Sequence, residues 1–228
     1  MAKKPAQRSE RVKTARKSAR TGSGTASYHH GDLREALLKA AESILERDGP
    51  TGLTLRAAAR EAGVSHAAPT HHFGDMSGLL SELAAVGFRR FGASLAEAAA
   101  AAPSPAGRLE AMGIAYVRFA RRHPGLFLLM FRSERLDTAR PALRDALMEA
   151  FQVLSGGVAQ RLAEDPSRAT APLASIANIV RSWSMVHGFA MLLLDHRLDD
   201  ILKALPGVDA NELLHAMLDA KLPSPNKT

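Results

Sequence analysis

An all-α fold is predicted for this chain of 228 residues. Apolar residues recur at close to 3.6 residues per turn along the whole chain, and no stretch sustains the alternation of a half-buried β-strand. Capping residues and breaks that contain Gly or Pro divide this pattern into about nine helices. Together these observations exclude a β or α/β architecture.

The first two helices are delimited by polar caps and by a Gly-Pro break. Asp32 opens the first helix, and Glu35 three residues later completes the pattern of a capping box. Asp48-Gly49-Pro50 ends this helix, because Gly and Pro both disfavour its continuation. Thr54 is then placed to cap a short second helix that is rich in alanine.

A tight turn and a third short helix follow. Gly63 supplies the turn, and Ser65 is expected to cap a helix that runs to about Phe73. Asp75 begins a long fourth helix, which ends before Pro103-Ser104-Pro105. The short third helix is therefore followed at once by a long one.

Proline residues divide the rest of the chain. His123-Pro124 stops the fifth helix, because the residue before a proline is pushed out of the helical region. The apolar segment 126–131 is predicted to form a short buried helix, and Pro141 suits the first position of the next one. A final helix starts near Asp209, with Glu212 three residues later.

The helix predicted over residues 172–195 is apolar on nearly every side in its second half. Such a helix must be covered on more than one face, so we expect another copy of the chain to cover the second one. On the preceding helix, Gly156-Gly157 leaves two alternatives open. One is a kink or a close helix approach, and the other is ordinary tolerance of glycine.

The composition excludes several classes of protein. The chain has no cysteine, which removes disulfide frameworks, zinc-cysteine sites and thiol nucleophiles. Its hydrophobic fraction of 46% is ample for a core, but no apolar run approaches the length of a membrane span. Secretory signals, Gly-rich phosphate loops, nucleophile elbows and His-Glu-x-x-His motifs are not found. We therefore expect a cytoplasmic protein without cofactor, metal or membrane partner, and not an enzyme.

The positive charge is concentrated at the N-terminus. Residues 1–27 carry eight Lys and Arg against one acid, an excess that equals the net charge of +7 for the whole chain. A segment of this composition is expected to be disordered in isolation. We favour an arm that adds salt-sensitive, sequence-independent affinity for DNA phosphates. The alternative is a solubilising leader without contacts.

The segment 53–73 has the pattern of a helix-turn-helix. In this motif a short helix, a tight turn and a second short helix direct the N-terminal side chains of the second helix toward the DNA major groove. The segment closely resembles the signature of the TetR family of transcriptional regulators. The residues at the spacing of that signature are Thr54, Ala58, Gly63, Val64, Ser65, His72 and Phe73.

A second match lies near the other end of the chain. Trp183, His187 and Gly188 form a Trp-x-x-x-His-Gly motif, which is similar to that of one TetR subgroup, as are segments 28–34 and 65–69. The resemblance extends from residue 28 to about residue 220. It implies a disordered basic arm (1–27), a three-helix DNA-binding domain with the helix-turn-helix (28–75), a C-terminal helical effector-binding and dimerisation domain (76–222) and a tail (223–228).

The resemblance also implies a function. The chain would be a homodimeric regulator, by family habit a repressor, that binds double-stranded operator DNA with two recognition helices about 34 Å apart. An unidentified small apolar or amphipathic effector in the C-terminal domain would tilt the fourth helix and release the DNA. Carried over residue by residue, phosphates would meet Thr54 and Arg56. The major groove would meet His66, Ala67, Ala68, Thr70 and His71, and Ser65 and His72 complete the predicted DNA-binding set.

The chain departs from the family pattern at two positions. The family usually has an aromatic residue where Thr70 stands and a lysine where Met76 stands, and both commonly contact the DNA backbone. Two phosphate contacts are therefore expected to be missing. Residues 28–77 hold five Lys or Arg against seven acids, so the basic arm is the candidate for compensation.

Five of the nine histidines lie in the helix-turn-helix region, at positions 29, 30, 66, 71 and 72. Metal ligation is disfavoured, because cysteines and clustered carboxylates do not accompany them. Two interpretations stay open. In the first, protonated imidazoles pair with phosphates, so that DNA binding weakens as the pH rises through roughly 6 to 7. Alternatively, His72 belongs to the core and the others are neutral donors.

The C-terminal domain is predicted to hold a largely hydrophobic pocket. A place in the ordinary core is commoner for any single Met or Phe at helical spacing, so the pocket depends on the family resemblance. His187 either donates to a ligand or satisfies a backbone carbonyl. The predicted effector pocket comprises Met112, Tyr116, Phe119, Phe127, Met130, Phe151, Trp183 and His187, with Phe131 and Met148 beside them.

An architectural DNA-binding protein is the alternative function. Such a protein would use the basic arm alone and would bind without sequence preference. A regulator should instead protect a short, partly palindromic site.

Overall fold

The prediction of an all-α fold is confirmed. The computed structural model describes Met1 and residues 30–163 and 172–219, and these residues form ten helices and no strand. The short ninth helix is not anticipated by the sequence pattern. The basic arm predicted for 1–27 and the tail predicted for 223–228 lie outside the described residues. The helices are α1 (His30–Gly52), α2 (Leu55–Glu61), α3 (Ala68–Phe73), α4 (Met76–Ala101), α5 (Pro105–Arg122), α6 (Pro124–Arg132), α7 (Pro141–Ala163), α8 (Pro172–Leu194), α9 (Asp199–Lys203) and α10 (Ala210–Asp219).

The start of α1 differs from the prediction. The helix begins at His30, so Asp32 lies in its first turn rather than at its cap. Gly49 interrupts α1 with a φ of 70°, a left-handed value, as the Gly-Pro break predicts. Thr54 caps α2 as expected, because its Oγ1 accepts the N–H of Ala57 at 3.0 Å. One of the donors that a helix start leaves unpaired is thereby satisfied.

The cap predicted for α3 is wrong. This helix begins at Ala68 with Ala67 at its N-cap, and no side chain caps it. Ser65 contributes its backbone carbonyl instead, which accepts the N–H of Ala68 at 3.0 Å. The helix therefore begins two residues later than predicted. Pro69 lies in its first turn, where the missing N–H would have no helical partner in any case.

The long helix α4 runs through both halves of the molecule and contacts α1, α3, α5, α6 and α7. Asp75 caps it as predicted, with its Oδ1 accepting the N–H of Gly78 at 2.8 Å. Two glycines then admit close neighbours. A Cβ on Gly87 would lie 2.6 Å from the Sδ of Met130, and one on Gly92 would lie 3.4 Å from the Cα of Ala150.

The boundaries of the later helices agree with the proline pattern. His123 leaves the helical region, and α6 starts at Pro124. Gly157 makes a close helix approach, since a Cβ there would lie 2.5 Å from the Sδ of Met112 on α5. At α10, Asp209 Oδ1 accepts the N–H of Glu212 at 2.9 Å, and Glu212 Oε2 accepts the N–H of Asp209 at 2.8 Å. Within the described residues, no helix combines the length and apolar character needed to cross a membrane.

Candidate DNA-reading helix and effector cavity

The turn after α2 and the helix α3 form the candidate DNA-reading surface. Phe73, which is 2% exposed, and the buried Pro69 hold α3 against the core. Gly63 has a φ of 67°, a conformation that glycine adopts without strain, and it reverses the chain between the two helices. The predicted DNA-binding residues Thr54, Arg56, Ser65, His66, Ala67, Thr70 and His71 are exposed, and Ala68 and His72 are half-buried.

Small residues and one ion pair fix α2 beneath this surface. Ala57, Ala58 and Ala59 are buried, so α2 can lie close to its neighbours without a large side chain between them. The guanidinium of Arg47 on α1 donates to Glu61 at 3.2 Å, which joins the ends of α1 and α2. The hydrogen bonds to Asp48 and Glu61 raise the pKa of Arg47, so this residue stays charged.

The histidines of α3 do not assemble into a metal site with other residues of the described chain, where no group of three or more His, Cys, Asp or Glu is suitably placed. The rings of His71 and His72 are 5.3 Å apart, and the ring of His72 is 6.2 Å from that of Phe73. Because His72 is half-buried, both interpretations of these histidines stay open.

An apolar cavity of about 350 Å³ lies among α4, α5, α6, α7 and α8. Its lining residues, all in the described part of the chain, include no charged side chain. The structure places four of the predicted pocket residues here, and α4 and α7 contribute most of the others. The predicted residues that line the cavity are Tyr116, Met130, Phe151 and Trp183, together with Phe131 and Met148. The rest of the lining is Phe88, Phe91, Leu147, Ala150 and Leu154.

The other four predicted pocket residues lie outside this lining. Met112 borders a second cavity of about 550 Å³, whose lining includes charged residues. Phe119 borders a groove against α4, and Phe127 is wholly buried in the core. His187 lies behind Tyr116 rather than at the cavity surface. Helical periodicity identifies the buried face of a helix, but it cannot show which residues on that face border an empty space.

Tyr116, Trp183 and His187 form a hydrogen-bonded chain in the cavity wall. The indole N–H of Trp183 donates to Tyr116 Oη at 3.1 Å, and this oxygen lies 2.9 Å from Nδ1 of His187. Trp183 can only donate, so the hydroxyl hydrogen of Tyr116 remains available to donate to Nδ1; in that arrangement the imidazole proton lies on Nε2. Burial raises the pKa of Tyr116, and burial together with Arg132 lowers the pKa of His187. All three groups are therefore neutral near pH 7.

Sequence reasoning missed the α4 residues of the cavity, Phe88 and Phe91, and also Leu147, Ala150 and Leu154 of α7. Phe91 lies on a buried face of α4, but helical periodicity does not separate cavity residues from core residues. In the structure, the Phe91 ring meets Tyr116 edge to face, with centroids 4.8 Å apart, and Phe88 meets Phe131 at 5.3 Å. These contacts make α4 one wall of the cavity.

Two family models match the chain. One, described as bacterial regulatory proteins of the tetR family, matches residues 37–83, and the other, described as a tetracyclin repressor-like C-terminal domain, matches residues 109–221. Together they cover more than half of the chain. The chain belongs to the TetR family. It therefore has the architecture of a TetR-family transcriptional regulator, with an N-terminal DNA-binding domain and a C-terminal ligand-binding domain.

Solved structures agree with this membership. A Rhodococcus sp. RHA1 protein of unknown function is 37% identical, with 85% of this chain and 95% of that one covered and a TM-score of 0.67. The TetR-family regulator PfmR from Thermus thermophilus is 18% identical, with 80% and 94% covered and a TM-score of 0.55. A TetR-family regulator from Marinobacter aquaeolei VT8 is 17% identical, with 82% and 93% covered and a TM-score of 0.55. The last two show the shared fold. A comparison with curated proteins finds no match.

Proposed function

We propose that this TetR-family protein is a homodimeric cytoplasmic repressor that releases operator DNA when a small molecule occupies its aromatic cavity. One observation carries the proposal. The N-terminus of α4 directly follows the reading helix α3, and farther along the same helix Phe88 and Phe91 line the cavity. A ligand that displaces α4 would therefore displace α3. The predicted DNA-binding residues retain their proposed roles, with Thr54 and Arg56 on phosphates.

The apolar surface of α8 supports the homodimer. Leu173, Ile176 and Val180 are 78%, 59% and 50% exposed and follow one another at helical spacing. An exposed apolar row of this kind marks an association surface. Gly188 lies farther along the same helix, and nothing lies within 4 Å of a Cβ built there, so a partner helix could approach closely. A second copy of α8, related by a twofold axis, is the occupant that we propose.

The Trp-x-x-x-His-Gly motif supports assignment to the subgroup that bears it. Two of its residues, Trp183 and His187, are joined through the hydroxyl of Tyr116. Its third residue, Gly188, lies on the proposed dimer surface. The motif would thus contribute Trp183 and His187 to the cavity wall and Gly188 to the contact with the partner subunit.

The chemistry of the cavity favours an uncharged aromatic effector. An ionised ligand would lose its hydration and find no counter-charge among the lining residues, which costs far more than burying an apolar group. The two polar side chains of the lining, Tyr116 and Trp183, already share a hydrogen bond. Selectivity would therefore come from shape and from aromatic contact.

A matched pair of probes tests this assignment. N-phenyl-1-naphthylamine and 8-anilinonaphthalene-1-sulfonate share their rings and differ by one sulfonate. We expect the neutral probe to bind the full-length protein, quench Trp183 and lower its affinity for DNA, with a much weaker effect of the anion. Equal binding of both probes would contradict an uncharged site. Binding of the neutral probe without loss of DNA affinity would contradict effector release.

Selection of bound sequences from random DNA tests the function itself. A dimeric regulator should enrich a short site with two half-sites about one helical turn apart. An architectural protein would enrich none. Deletion of residues 2–26 then isolates the arm: affinity for the selected site should fall and its salt dependence should flatten. Undiminished binding at every salt concentration would remove the arm from the proposal.

A further inference from the structure

The junction between α3 and α4 is held by the loop that joins α6 to α7, residues 133–140, here named the clamp loop. Ser77 Oγ donates to the carbonyl of Arg135 at 2.7 Å, and the N–H of Asp137 donates to Ser81 Oγ at 2.8 Å. Ser81 is wholly buried and donates in turn to the carbonyl of Ser77. The clamp loop is therefore tied to the first two turns of α4.

Arg140 extends this connection to the reading helix. Its Nη2 donates at 3.1 Å to the carbonyl of Phe73, the last residue of α3. Carbonyls at a helix C-terminus lack partners within the helix and carry partial negative charge, so a cation is stabilised there. The carboxylate of Asp137 lies 3.6 Å from Arg140 Nε and helps to orient the guanidinium.

Gly78 keeps the space that Arg140 occupies. A Cβ at this position of α4 would lie 2.6 Å from Arg140 Nη2 and would also press on the carbonyl of Phe73. Glycine inside a helix costs roughly 1 kcal/mol relative to alanine. The close approach of the carbonyl of Phe73, with the guanidinium beside it, gives a physical reason for a glycine here.

We infer that Arg140 is a positioning residue that couples the state of the effector cavity to the reading helix. This inference rests on the proposed function. The clamp loop joins two walls of the cavity, with Met130 on α6 and Leu147 on α7, seven residues after Arg140. A molecule that separates these helices changes the span of the clamp loop and draws Arg140 away from Phe73. The C-terminal turn of α3 then loses its partner, so the signal reaches α3 through α7 as well as through α4.

Three variants of the full-length protein test the contact on selected DNA. Arg140→Met keeps most of the aliphatic stem and removes the donors, whereas Arg140→Lys retains a donor. Arg144→Met is the matched control, because this exposed arginine one turn later pairs with its neighbour Asp145. We expect Arg140→Met to weaken binding about tenfold more than the control does, as loss of a hydrogen bond to a charged group implies. Partial rescue is expected with lysine. Equal loss in Arg140→Met and Arg144→Met would overturn the inference.

Hydrogen exchange on the DNA-free protein gives a readout that is independent of the proposed function. The N–H of Gly74 bonds to the carbonyl of Thr70 at 2.9 Å, so this amide reports on the last turn of α3. Arg140→Met should speed exchange over residues 70–74 and leave α1 and α5 protected, whereas general destabilisation would speed all three. Gly78→Ala should also speed exchange there, because its Cβ would meet the backbone carbonyl of Phe73 directly, and it shows that this turn responds to a local disturbance without a change of charge. Unchanged exchange over 70–74 in Arg140→Met would overturn the inference.

A cavity-filling substitution tests the coupling. Leu154 lines the cavity from α7, and Leu154→Phe adds volume there. It should speed exchange over 70–74 in the otherwise unchanged protein and give a smaller increment in the presence of Arg140→Met, where only the route through α4 remains. No effect in the first background, or an equal increment in both, would overturn the coupling. Failure to select any DNA sequence, with the local exchange effects intact, would instead contradict only the proposed function.

Discussion

The helices α2 and α3 and the C-terminal helices around Tyr116 are packed in opposite ways. Around α2, three successive alanines are buried, so no large side chain separates this helix from its neighbours. Around Tyr116, large aromatic rings meet edge to face and leave a cavity of about 350 Å³. Close packing resists deformation, whereas a cavity can accept a ligand or a change of shape. Under the proposed function, the N-terminal helices would present side chains to DNA rigidly, and the C-terminal helices would respond to a ligand.

A substitution in each region should reveal this contrast most strongly. Phe73→Ala removes a ring that is 2% exposed and that lies 5.8 Å beneath the guanidinium of Arg34. We expect a loss of about 3–5 kcal/mol in the free energy of unfolding, because a buried phenylalanine leaves a void. Urea denaturation of the DNA-free protein measures it.

The matched substitution in the effector domain is Phe151→Ala. This ring is 47% exposed at the mouth of the cavity, so its removal should cost about 1 kcal/mol. Similar losses at both positions would contradict the proposed difference in packing.

The next largest effect is expected from Tyr116→Phe. The ring keeps its contact with Phe91, but the indole N–H of Trp183 and Nδ1 of His187 lose their partner. Unpaired buried polar groups should cost about 1–3 kcal/mol in the free energy of unfolding. Trp183 is the only tryptophan, so its emission maximum should also shift. An unaltered spectrum and stability would show that this hydroxyl has no structural role.

A smaller effect is expected at the cap of α2. Thr54→Ala removes the oxygen that accepts the N–H of Ala57, which should cost about 1 kcal/mol. Thr54→Ser keeps this oxygen and serves as the control. Thermal unfolding without DNA measures the cap separately from any phosphate contact. A loss with serine as large as that with alanine would exclude the cap as its cause.

The smallest effect should appear as a pH dependence in the effector domain. The pKa of His187 is lowered by burial and by Arg132, so the unfolded chain binds a proton at this residue more readily than the folded chain does. The stability that the neutral imidazole contributes is therefore present above the ordinary histidine pKa of about 6.5 and declines as the pH falls below it.

The variant His187→Asn retains an acceptor close to the position of Nδ1 and does not titrate. We expect its midpoint of thermal unfolding to fall less than that of the wild type between pH 6.5 and 5. The difference between the two proteins should be constant above pH 7.5. Parallel curves over the whole range would show that His187 does not contribute to the acid sensitivity.

Short-range sequence signals account for the features of α2, α3 and the start of α4 that were predicted correctly. The caps at Thr54 and Asp75 and the turn at Gly63 depend on residues three or four positions apart, and the structure contains all three. The cap at Ser65 is the exception. There the backbone carbonyl takes the place of the side chain, a choice that the residue type does not determine.

The amino-acid sequence by itself determined the all-α class, most helix boundaries and the family, because these depend on periodicity, caps and short motifs. Only the tertiary structure decided that Phe88 and Phe91 border a cavity while Phe127 fills the core. It also decided that Arg140 reaches Phe73 across 67 positions of the chain. A cavity and a long-range contact are properties of several helices packed together, and they cannot be predicted from the spacing of residues along one helix.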